Sequence, residues 1–343
     1  MPERGKVFLP LAIGLLLASC GAPERVPIAR EKGSGEPPLR DQRGRVQIVD
    51  GRLASDRGTR LRGVAIEADL GLDFELYAEP EGARPALRSF FEKLTGELGL
   101  NAFELNLESY NVEAGSRAGF ADVMVEESRR AGAYLIFGPG SGPIRDGKGG
   151  SGSFDADFVR RFWTFYAPRY ANETHVLYQI QKVPERTCDA IWNEASLSLE
   201  RDMYSLIRGS APDSHLFVFS FGEIPTVAAF EANVSAVADT VSFEHATVAF
   251  HAHDECAPVT EVAALPREVA GQTVSLFVTE LPPNTWQENL RAMEADKVGW
   301  MHYHWIALDP ELASFRPAHD EAGIGWCPDF GTWPQNSSTC SDQ

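Results

Sequence analysis

The sequence predicts a single (β/α)8 barrel, or TIM barrel, with an N-terminal β-hairpin. Eight steps from a strand-like segment to a helix-like segment follow the hairpin over about 260 residues, the size of one such barrel. Several of the strands are largely apolar, such as 274–278 with Ser275 as its one polar residue, which is typical of a parallel sheet covered on both faces. The sequence has no Gly-x-Gly-x-x-Gly after the first strand and no P-loop, which disfavours a nucleotide-binding doubly wound sheet.

The elements follow from local patterns along the chain. Residues 46–49 alternate and lead through an Asp50-Gly51 turn into residues 52–53, which predicts the hairpin. The strands of the barrel are predicted at 61–66, 101–107, 133–137, 175–181, 215–221, 247–251, 273–279 and 298–306. Helices are predicted at 85–98, 118–131, 155–170, 195–208, 227–233 and 287–296, with a broken helix containing Pro266 at 261–269.

The composition narrows the function classes. Hydrophobic residues make up 43% of the 343 residues, so the chain can bury a large core. The formal net charge of -18 argues against a nucleic-acid partner, because phosphates would be repelled over most of the surface. Five Cys are too few for a fold that depends on disulfides.

The N-terminus has the features of an export signal. Arg4 and Lys6 precede an apolar run at 7–18 that is too short to span a membrane. The run ends in Leu17-Ala18-Ser19-Cys20, which resembles the bacterial lipobox, whose Cys is acylated and becomes the new N-terminus. We therefore expect a lipoprotein signal peptide at 1–19 and a lipid anchor at Cys20. A flexible tether rich in Pro, Gly and charged residues follows at 20–45.

These features predict a protein of the bacterial cell envelope, anchored at the outer membrane or the cell surface. The barrel is expected at 46–318, and a Cys-containing tail at 319–343. An exported protein can form disulfides, and the four Cys after Cys20 allow three pairings. The favoured pairing is Cys327 with Cys340, which lie close in sequence, and that leaves Cys188 with Cys256.

Polar side chains collect where the predicted strands end, which is the catalytic edge of such a barrel. They are Glu67, Glu104, Glu108, Lys182, Glu185, Glu223, His251, His253, Asp254, Glu255, Glu280, His304 and Trp305. Carboxylates dominate this set. Two carboxyl groups and a flat apolar surface for a sugar ring are what glycoside hydrolysis needs, so the pattern indicates that chemistry.

The sequence resembles the cellulase-like glycoside hydrolases of family five. The similar segments are Leu61-Arg62-Gly63-Val64, Phe162-Trp163, Ala167-Pro168-Arg169-Tyr170, Val248-Ala249-Phe250-His251-Ala252-His253, Leu276-Phe277-Val278-Thr279-Glu280 and 300–309. The resemblance implies a (β/α)8 barrel without a cofactor. It also places the nucleophile at Glu280, substrate contacts at His251 and His253, and the floor of the sugar site at Trp305.

Two departures from the family put hydrolysis in doubt. The family's strand 4 ends in Asn-Glu-Pro, whose Glu is the acid/base, whereas this chain has Lys182-Val183-Pro184. The family's strand 2 carries an Arg that contacts the nucleophile, and here Glu104 stands in that position. Val183 cannot donate a proton, and losing a general acid costs about 10²–10⁴-fold in rate. We expect Lys182 to lie between Glu104 and Glu280 and to compensate their charges.

Two functions of different classes remain. The first is a divergent glycoside hydrolase acting on a β-linked polysaccharide or glycan, with Glu280 as nucleophile or general base and a relocated acid at Glu185, Glu223 or Glu104. The second is a catalytically inactive carbohydrate-binding protein, expected to be a monomer. Lys182, His251, His253 and Trp305 would bind the sugar in either case. A second carboxyl group roughly 5–5.5 Å from Glu280 would permit a retaining enzyme, and a separation of roughly 6.5–9.5 Å would indicate an inverting one. Carboxylates tied to cations would favour the binding protein.

A metal centre is the third and weakest interpretation. His251-x-His253-Asp254 and His302-x-His304 have the residue types of a zinc site. Strand alternation argues against it, because His302 and His304 face the helices if Trp305 faces the barrel interior. We therefore expect no metal.

Overall fold

The described part of the chain is residues 43–67, 79–96, 99–108, 113–140, 156–182, 191–252, 259–281 and 286–303 of a computed structural model. The expected lipid anchor at Cys20 and all four expected disulfide cysteines lie outside these residues, as do Val183, Glu185, His253 and Trp305. None of the helices in the described ranges is long and apolar enough to cross a membrane.

The predicted hairpin is present and closes one end of the barrel. Strands β1 (Gln47–Val49) and β2 (Arg52–Ala54) pair antiparallel around Asp50 and Gly51. Both turn residues have positive φ angles, 51° and 69°, as the two-residue turns of hairpins require. Val46 and Leu53 are buried in the same apolar cluster as Tyr134 and Met301 of the barrel, so the hairpin seals the barrel at the N-terminal ends of its strands.

Eight parallel strands form a closed barrel in the order β11-β12-β3-β4-β5-β6-β7-β8, which confirms the predicted fold class. Their bounds are β3 (Arg62–Glu67), β4 (Ala102–Asn106), β5 (Tyr134–Gly138), β6 (Val176–Gln179), β7 (Leu216–Phe221), β8 (Ala246–His251), β11 (Ser275–Leu281) and β12 (Gly299–Tyr303). Alternate side chains fill the interior, and the others pack against the helices.

Six α-helices in the described ranges cover the barrel. They are α1 (Pro80–Gly96), α2 (Ala118–Ala131), α3 (Ala156–Arg169), α4 (Glu194–Ser210), α5 (Val227–Val237) and α6 (Trp286–Asp296). Helix α1 begins five residues before the predicted start at Pro85. Pro80 occupies its first position, where a missing N–H costs nothing, and Pro85 lies inside the helix.

The predicted broken helix at 261–269 is wrong in its second half. The chain forms a 3₁₀ helix at Val259–Ala264 and then a small hairpin of β9 (Glu268–Val269) and β10 (Gln272–Thr273). Pro266 cannot continue a helix, because it lacks the N–H donor. Ala270 and Gly271 adopt positive φ angles, 51° and 77°, so the chain turns back as a second hairpin.

Candidate active site

Glu280 lies near the C-terminal end of β11, where the strand is irregular. The register between β11 and β8 shifts after Val278, so that Glu280 pairs with His251. The hydroxyl of Thr279 donates a hydrogen bond of 3.3 Å to the carbonyl oxygen of Phe250. Such bulges occur at barrel rims, where they redirect a side chain. Here the bulge places the Glu280 carboxylate beside His251.

The carboxylate of Glu280 has two partners. Nζ of Lys182 lies 2.8 Å from Oε1 of Glu280, and Nδ1 of His251 lies 3.1 Å from Oε2. All three residues are buried, with at most 4% of their surface exposed. Lys182 follows β6, so its side chain reaches Glu280 from the fourth strand of the barrel, whereas Glu280 is on the seventh. Both oxygens of the expected nucleophile are therefore engaged by groups that can carry a positive charge.

Glu104 lies on β4 and is fully buried. Its Cα pairs with Ala65 on β3 and with Ile136 on β5, and Ile136 is part of the interior cluster. The side-chain amide of Asn106 donates a hydrogen bond of 2.8 Å to Oε1 of Glu104. Asn106 was not among the predicted site residues, although it follows Glu104 by two residues and so lies on the same face of the strand.

A second polar pair lies inside the barrel between β6 and β7. Nε2 of Gln179 donates a hydrogen bond of 2.9 Å to Oγ of Ser220, and neither residue is exposed. Both residues escaped the sequence analysis. Ser220 lies in an otherwise apolar stretch, so the sequence does not mark it as a site residue. Its side chain faces the barrel interior only because the strand geometry changes locally.

That change is a bulge in β7. Phe219 and Ser220 adopt left-handed backbone conformations, with φ angles of 70° and 45°, and the register with β8 shifts between Val218 and Phe221. Consecutive non-glycine residues in this region are strained and need support from their surroundings. Glu200 on α4 provides it, because its Oε1 accepts a hydrogen bond of 2.6 Å from the N–H of Phe219.

The same carboxylate of Glu200 also binds the end of strand β6. Its Oε2 accepts a hydrogen bond from the side-chain amide of Gln181, the residue before Lys182. Glu200 is fully buried, and this burial raises the pKa of its carboxyl group to about 7, although the two hydrogen bonds oppose the shift. Glu200 thus connects the residue next to the site lysine with the bulge that orients Ser220.

The remaining predicted site residues fall into three groups. Glu223 follows β7 at the same edge of the barrel and is 6% exposed. Glu67 ends β3, but its side chain is outside the described part of the structure. Glu185, His253 and Trp305 also lie outside it, so the acid at Glu185 and the sugar contacts at His253 and Trp305 stay predictions.

Glu108 has a structural role rather than the site position suggested by its location at the end of β4. Its carboxylate accepts hydrogen bonds from the backbone N–H groups of Gly115 and Arg117, at 3.0 and 2.9 Å, and from the hydroxyl of Tyr166 at 2.6 Å. Burial raises the pKa of Glu108 despite these bonds. The Glu108 side chain therefore connects the loop that precedes α2 with helix α3.

His302 faces the helices, as the alternation argument predicted. It is fully buried, and its ring packs edge-on against Trp300 at a centroid distance of 5.0 Å. Within the described ranges, no group of three or more His, Cys, Asp or Glu residues is arranged so that it could hold a metal ion.

The solved structures that are similar to this chain include endoglucanases and a β-mannanase. The catalytic domain of Thermobifida fusca endoglucanase Cel5A matches with a TM-score of 0.53 and 19% identity, over 76% of this chain and 85% of that chain. The catalytic domain of the major endoglucanase from Xanthomonas campestris pv. campestris matches with a TM-score of 0.55 and 14% identity, over 81% and 99%. The mannohexaose complex of Thermomonospora fusca β-mannanase matches with a TM-score of 0.53 and 16% identity, over 78% and 88%.

The chain therefore has the barrel fold of the cellulase-like glycosidases, as its motifs predicted. Comparison with protein-family models and with curated protein sequences gives no match. At identities of 14–19% the structural likeness establishes the fold, and function has to be argued from the site.

Proposed function

We propose that this protein is a carbohydrate-binding lipoprotein that uses a glycosidase barrel without hydrolysing its ligand. The observation that carries the proposal is the contact between Lys182 and Glu280, 2.8 Å long and buried. A retaining glycosidase needs a carboxylate that can attack the sugar and a second carboxyl group roughly 5–5.5 Å away. Lys182 brings an ammonium group directly against the carboxylate that would have to attack.

The ion pair opposes catalysis in two ways. The attacking carboxylate would have to leave the ammonium group, and a buried charge separated from its partner is costly. The resemblance also places Val183 where the general acid should be, so the leaving group has no obvious proton donor. Glu104 stands at the family's Arg position, and its Oε1 accepts a hydrogen bond from Asn106.

Carbohydrate binding is supported by the residues at the mouth and by the similar structures. His251 places a polar group at the end of β8, and Trp305 is the expected floor for a sugar ring. Similar structures were solved with cellotetraose and with mannohexaose, which are β-linked chains of hexoses. A ligand of this class fits the proposal. Anchoring through Cys20 would hold the monomeric protein in the bacterial cell envelope.

The divergent hydrolase remains the second candidate. Glu223, which follows β7, is a buried carboxyl group at the same edge of the barrel that could act as a relocated acid toward a ligand bound at Glu280. Glu104 and Glu185 are the other acids this candidate would use. The hydrolase would turn over a bound glycan and the binding protein would not, so one experiment separates the two candidates.

The test measures binding and hydrolysis together on the chain starting at Gly21. Cellotetraose and mannohexaose are titrated by calorimetry, and new reducing ends are counted after long incubation. Glu280→Gln is the site variant, and Glu231→Gln, an exposed position on α5, is the matched control. We expect binding without turnover in the native protein and in the control. Turnover that Glu280→Gln abolishes and Glu231→Gln retains would establish the hydrolase instead, and the absence of binding to either sugar would refute the proposal.

A further inference from the structure

A sugar can bind at Glu280 only if one of the groups that hold its carboxylate moves away. Lys182 engages Oε1 of Glu280 at 2.8 Å and His251 engages Oε2 at 3.1 Å, and all three residues are buried. His251 ends a strand that is paired with β11, whereas a lysine side chain has a flexible four-carbon stem. Lys182 is therefore the partner that can move, provided that its ammonium group has another carboxylate to go to.

The inward side chains next to Lys182 are arranged in layers. In a (β/α)8 barrel, alternate strands contribute the four side chains of a layer, and neighbouring strands are offset by about one residue. With this offset, the strand registers place four residues in one layer, namely Glu104, Gln179, Ala249 and Met301. Ala249 and Met301 belong to the interior apolar cluster, which agrees with this placement. Glu104 on β4 and Gln179 on β6 are separated only by β5.

The next layer toward the mouth is built mostly of small residues. The same registers place Ala65, Gly138, Ser220 and Glu280 in it, the last two through the bulges in their strands. Gly138 lies on β5, between Glu104 and Gln179, and a Cβ atom there would be 2.8 Å from the carbonyl oxygen of Gln179. Glycine therefore puts no side chain between the end of β6, which leads to Lys182, and Glu104 on β4.

Two buried amide oxygens in this part of the interior have no hydrogen-bond donor. The amide of Asn106 donates to Oε1 of Glu104, and because a carboxylate only accepts, Oδ1 of Asn106 is the atom left over. The amide of Gln179 donates to Ser220, which leaves its Oε1. Neither oxygen finds a donor among the described residues, and both residues are at most 3% exposed. A buried acceptor without a donor is costly, so these oxygens call for a group that can donate to them.

We propose that Glu104, Asn106 and Gln179 form a second lysine site, to which the ammonium group of Lys182 moves when a sugar binds to Glu280. The inference rests on the proposed carbohydrate binding. An ammonium group has three N–H donors, and the second lysine site offers the Glu104 carboxylate and the two amide oxygens as acceptors. Lys182 follows β6, so Glu104 is two strands away in one direction and Glu280 three strands away in the other.

The exchange keeps the buried lysine charge compensated in both states. In the free protein the ammonium group is paired with Glu280, and in the complex it is paired with Glu104. Hydroxyl groups of the sugar then donate to Oε1 of Glu280, while His251 stays at Oε2. Binding is thus coupled to the movement of one side chain, and the second lysine site determines how much affinity this movement costs.

Unfolding measurements test the second lysine site in the absence of sugar. Glu280→Gln removes the carboxylate that Lys182 occupies, so the ammonium group should move to Glu104. Glu104→Gln should then lower the urea midpoint at least about twice as much in the Glu280→Gln protein as in the native one, because the lysine loses its remaining carboxylate. In Lys182→Met/Glu280→Gln, which has no ammonium group, the enlarged loss should disappear. An equal loss in all three proteins would overturn the proposal, and so would an enlarged loss that persists without the lysine.

Sugar binding tests whether the exchange takes place. Calorimetric titration with cellotetraose compares Gln179→Met with Ser220→Ala, since both lose the hydrogen bond between these residues and only the first loses the amide oxygen. We expect an affinity about tenfold lower for Gln179→Met and little changed for Ser220→Ala. A crystal structure of the complex should show Nζ of Lys182 beside Glu104. Equal loss of affinity in the two variants, or an ammonium group still on Glu280 in the complex, would refute the exchange.

The outcomes separate this inference from the proposed function. Binding of cellotetraose with Lys182 left on Glu280 would refute the exchange and leave the carbohydrate proposal standing. If the native protein bound neither cellotetraose nor mannohexaose, the carbohydrate proposal would fail and the exchange with it. The unfolding measurements would still decide whether the second lysine site holds the ammonium group.

Discussion

The backbone N–H of Phe219 donates a hydrogen bond of 2.6 Å to Oε1 of Glu200, a fully buried carboxylate on the neighbouring helix. This bond holds the left-handed turn of the chain that directs Ser220 into the barrel. The other oxygen of Glu200 accepts from Gln181, next to Lys182. One acidic side chain that is not itself at the barrel mouth thus organises two of the strand ends that form it.

Replacing Glu200 with Gln should change how stability depends on pH. Burial raises the pKa of Glu200 from 4.5 to about 7, so the folded protein binds its proton more tightly than the unfolded chain does. Stability from this group is present below pH 4.5 and is lost as pH rises toward 7, by at most about 3 kcal/mol. The free energy of unfolding of the Gln variant, relative to that of the native protein, should therefore increase by up to about 3 kcal/mol between pH 5 and pH 8, as measured by urea unfolding.

The free energy of unfolding of the variant must be compared with that of the native protein at each pH. Two buried histidines change the stability with pH in the opposite direction to Glu200. Burial lowers the pKa of His175 to about 4 and that of His215 to about 3, so both destabilise the fold as pH falls below 6.5. Their contribution cancels in the difference. Glu231→Gln, at an exposed position, is the control. A pH-independent difference for Glu200→Gln would contradict the assignment.

Lys182→Met should be strongly destabilising, because it leaves Glu280 buried without its cation. Breaking one side of a buried ion pair typically costs about 3–5 kcal/mol. Adding Glu280→Gln removes the uncompensated charge, so we expect the double variant to regain most of the lost stability. Urea unfolding of the two single variants and the double variant gives the coupling energy. Additive effects would mean that the two charges do not depend on each other.

Gly63→Ala should prevent normal closure of the barrel between β3 and β4. A Cβ atom at this position would lie 1.9 Å from the carbonyl oxygen of Ala102 and 2.6 Å from Sδ of Met301. Backbone cannot move aside cheaply, so we expect a loss of at least about 3 kcal/mol, the upper end for overpacked cores. Gly96→Ala, at the end of α1 with open space around it, is the control and should be neutral or slightly stabilising. Similar thermal midpoints for the two variants would be inconsistent with the packing described.

Tyr166→Phe and Glu108→Ala should lower the free energy of unfolding by different amounts. The first removes one hydrogen bond to a carboxylate, worth about 1.5–3 kcal/mol. The second also removes the acceptor of the Gly115 and Arg117 N–H groups, so its cost should be larger. Denaturant unfolding ranks the two variants. A smaller loss for Glu108→Ala would show that the loop is held by other contacts.

The barrel was predictable because its signals are periodic and repeated. Apolar residues at strand and helix spacing mark every step, and helix α2 was predicted with the bounds that the structure gives. Lys182 was expected near Glu280 from its place in the strand 4 motif. Sequence reasoning failed where the period is broken. The bulges at Thr279 and at Phe219 and Ser220 shift the inward–outward alternation of the side chains by one residue. No residue type in the sequence indicates such a bulge.

Glu108 and Glu200 show a second limit. Both are acidic residues, and sequence analysis treats such residues as exposed or catalytic. In the structure each is buried and accepts hydrogen bonds from distant backbone. Those donors become available only once the helices are packed, so the role of each carboxylate follows from the tertiary structure.

The pairing of Lys182 with Glu280 also constrains the paths by which this barrel can change under mutation. Lys182→Asn alone, the family's residue, would leave the Glu280 charge uncompensated in a buried position. That step toward the family's pattern therefore passes through a less stable protein. The cost is avoided only if Glu280 loses its charge at the same time, so selection acting on one residue at a time would retain the ion pair.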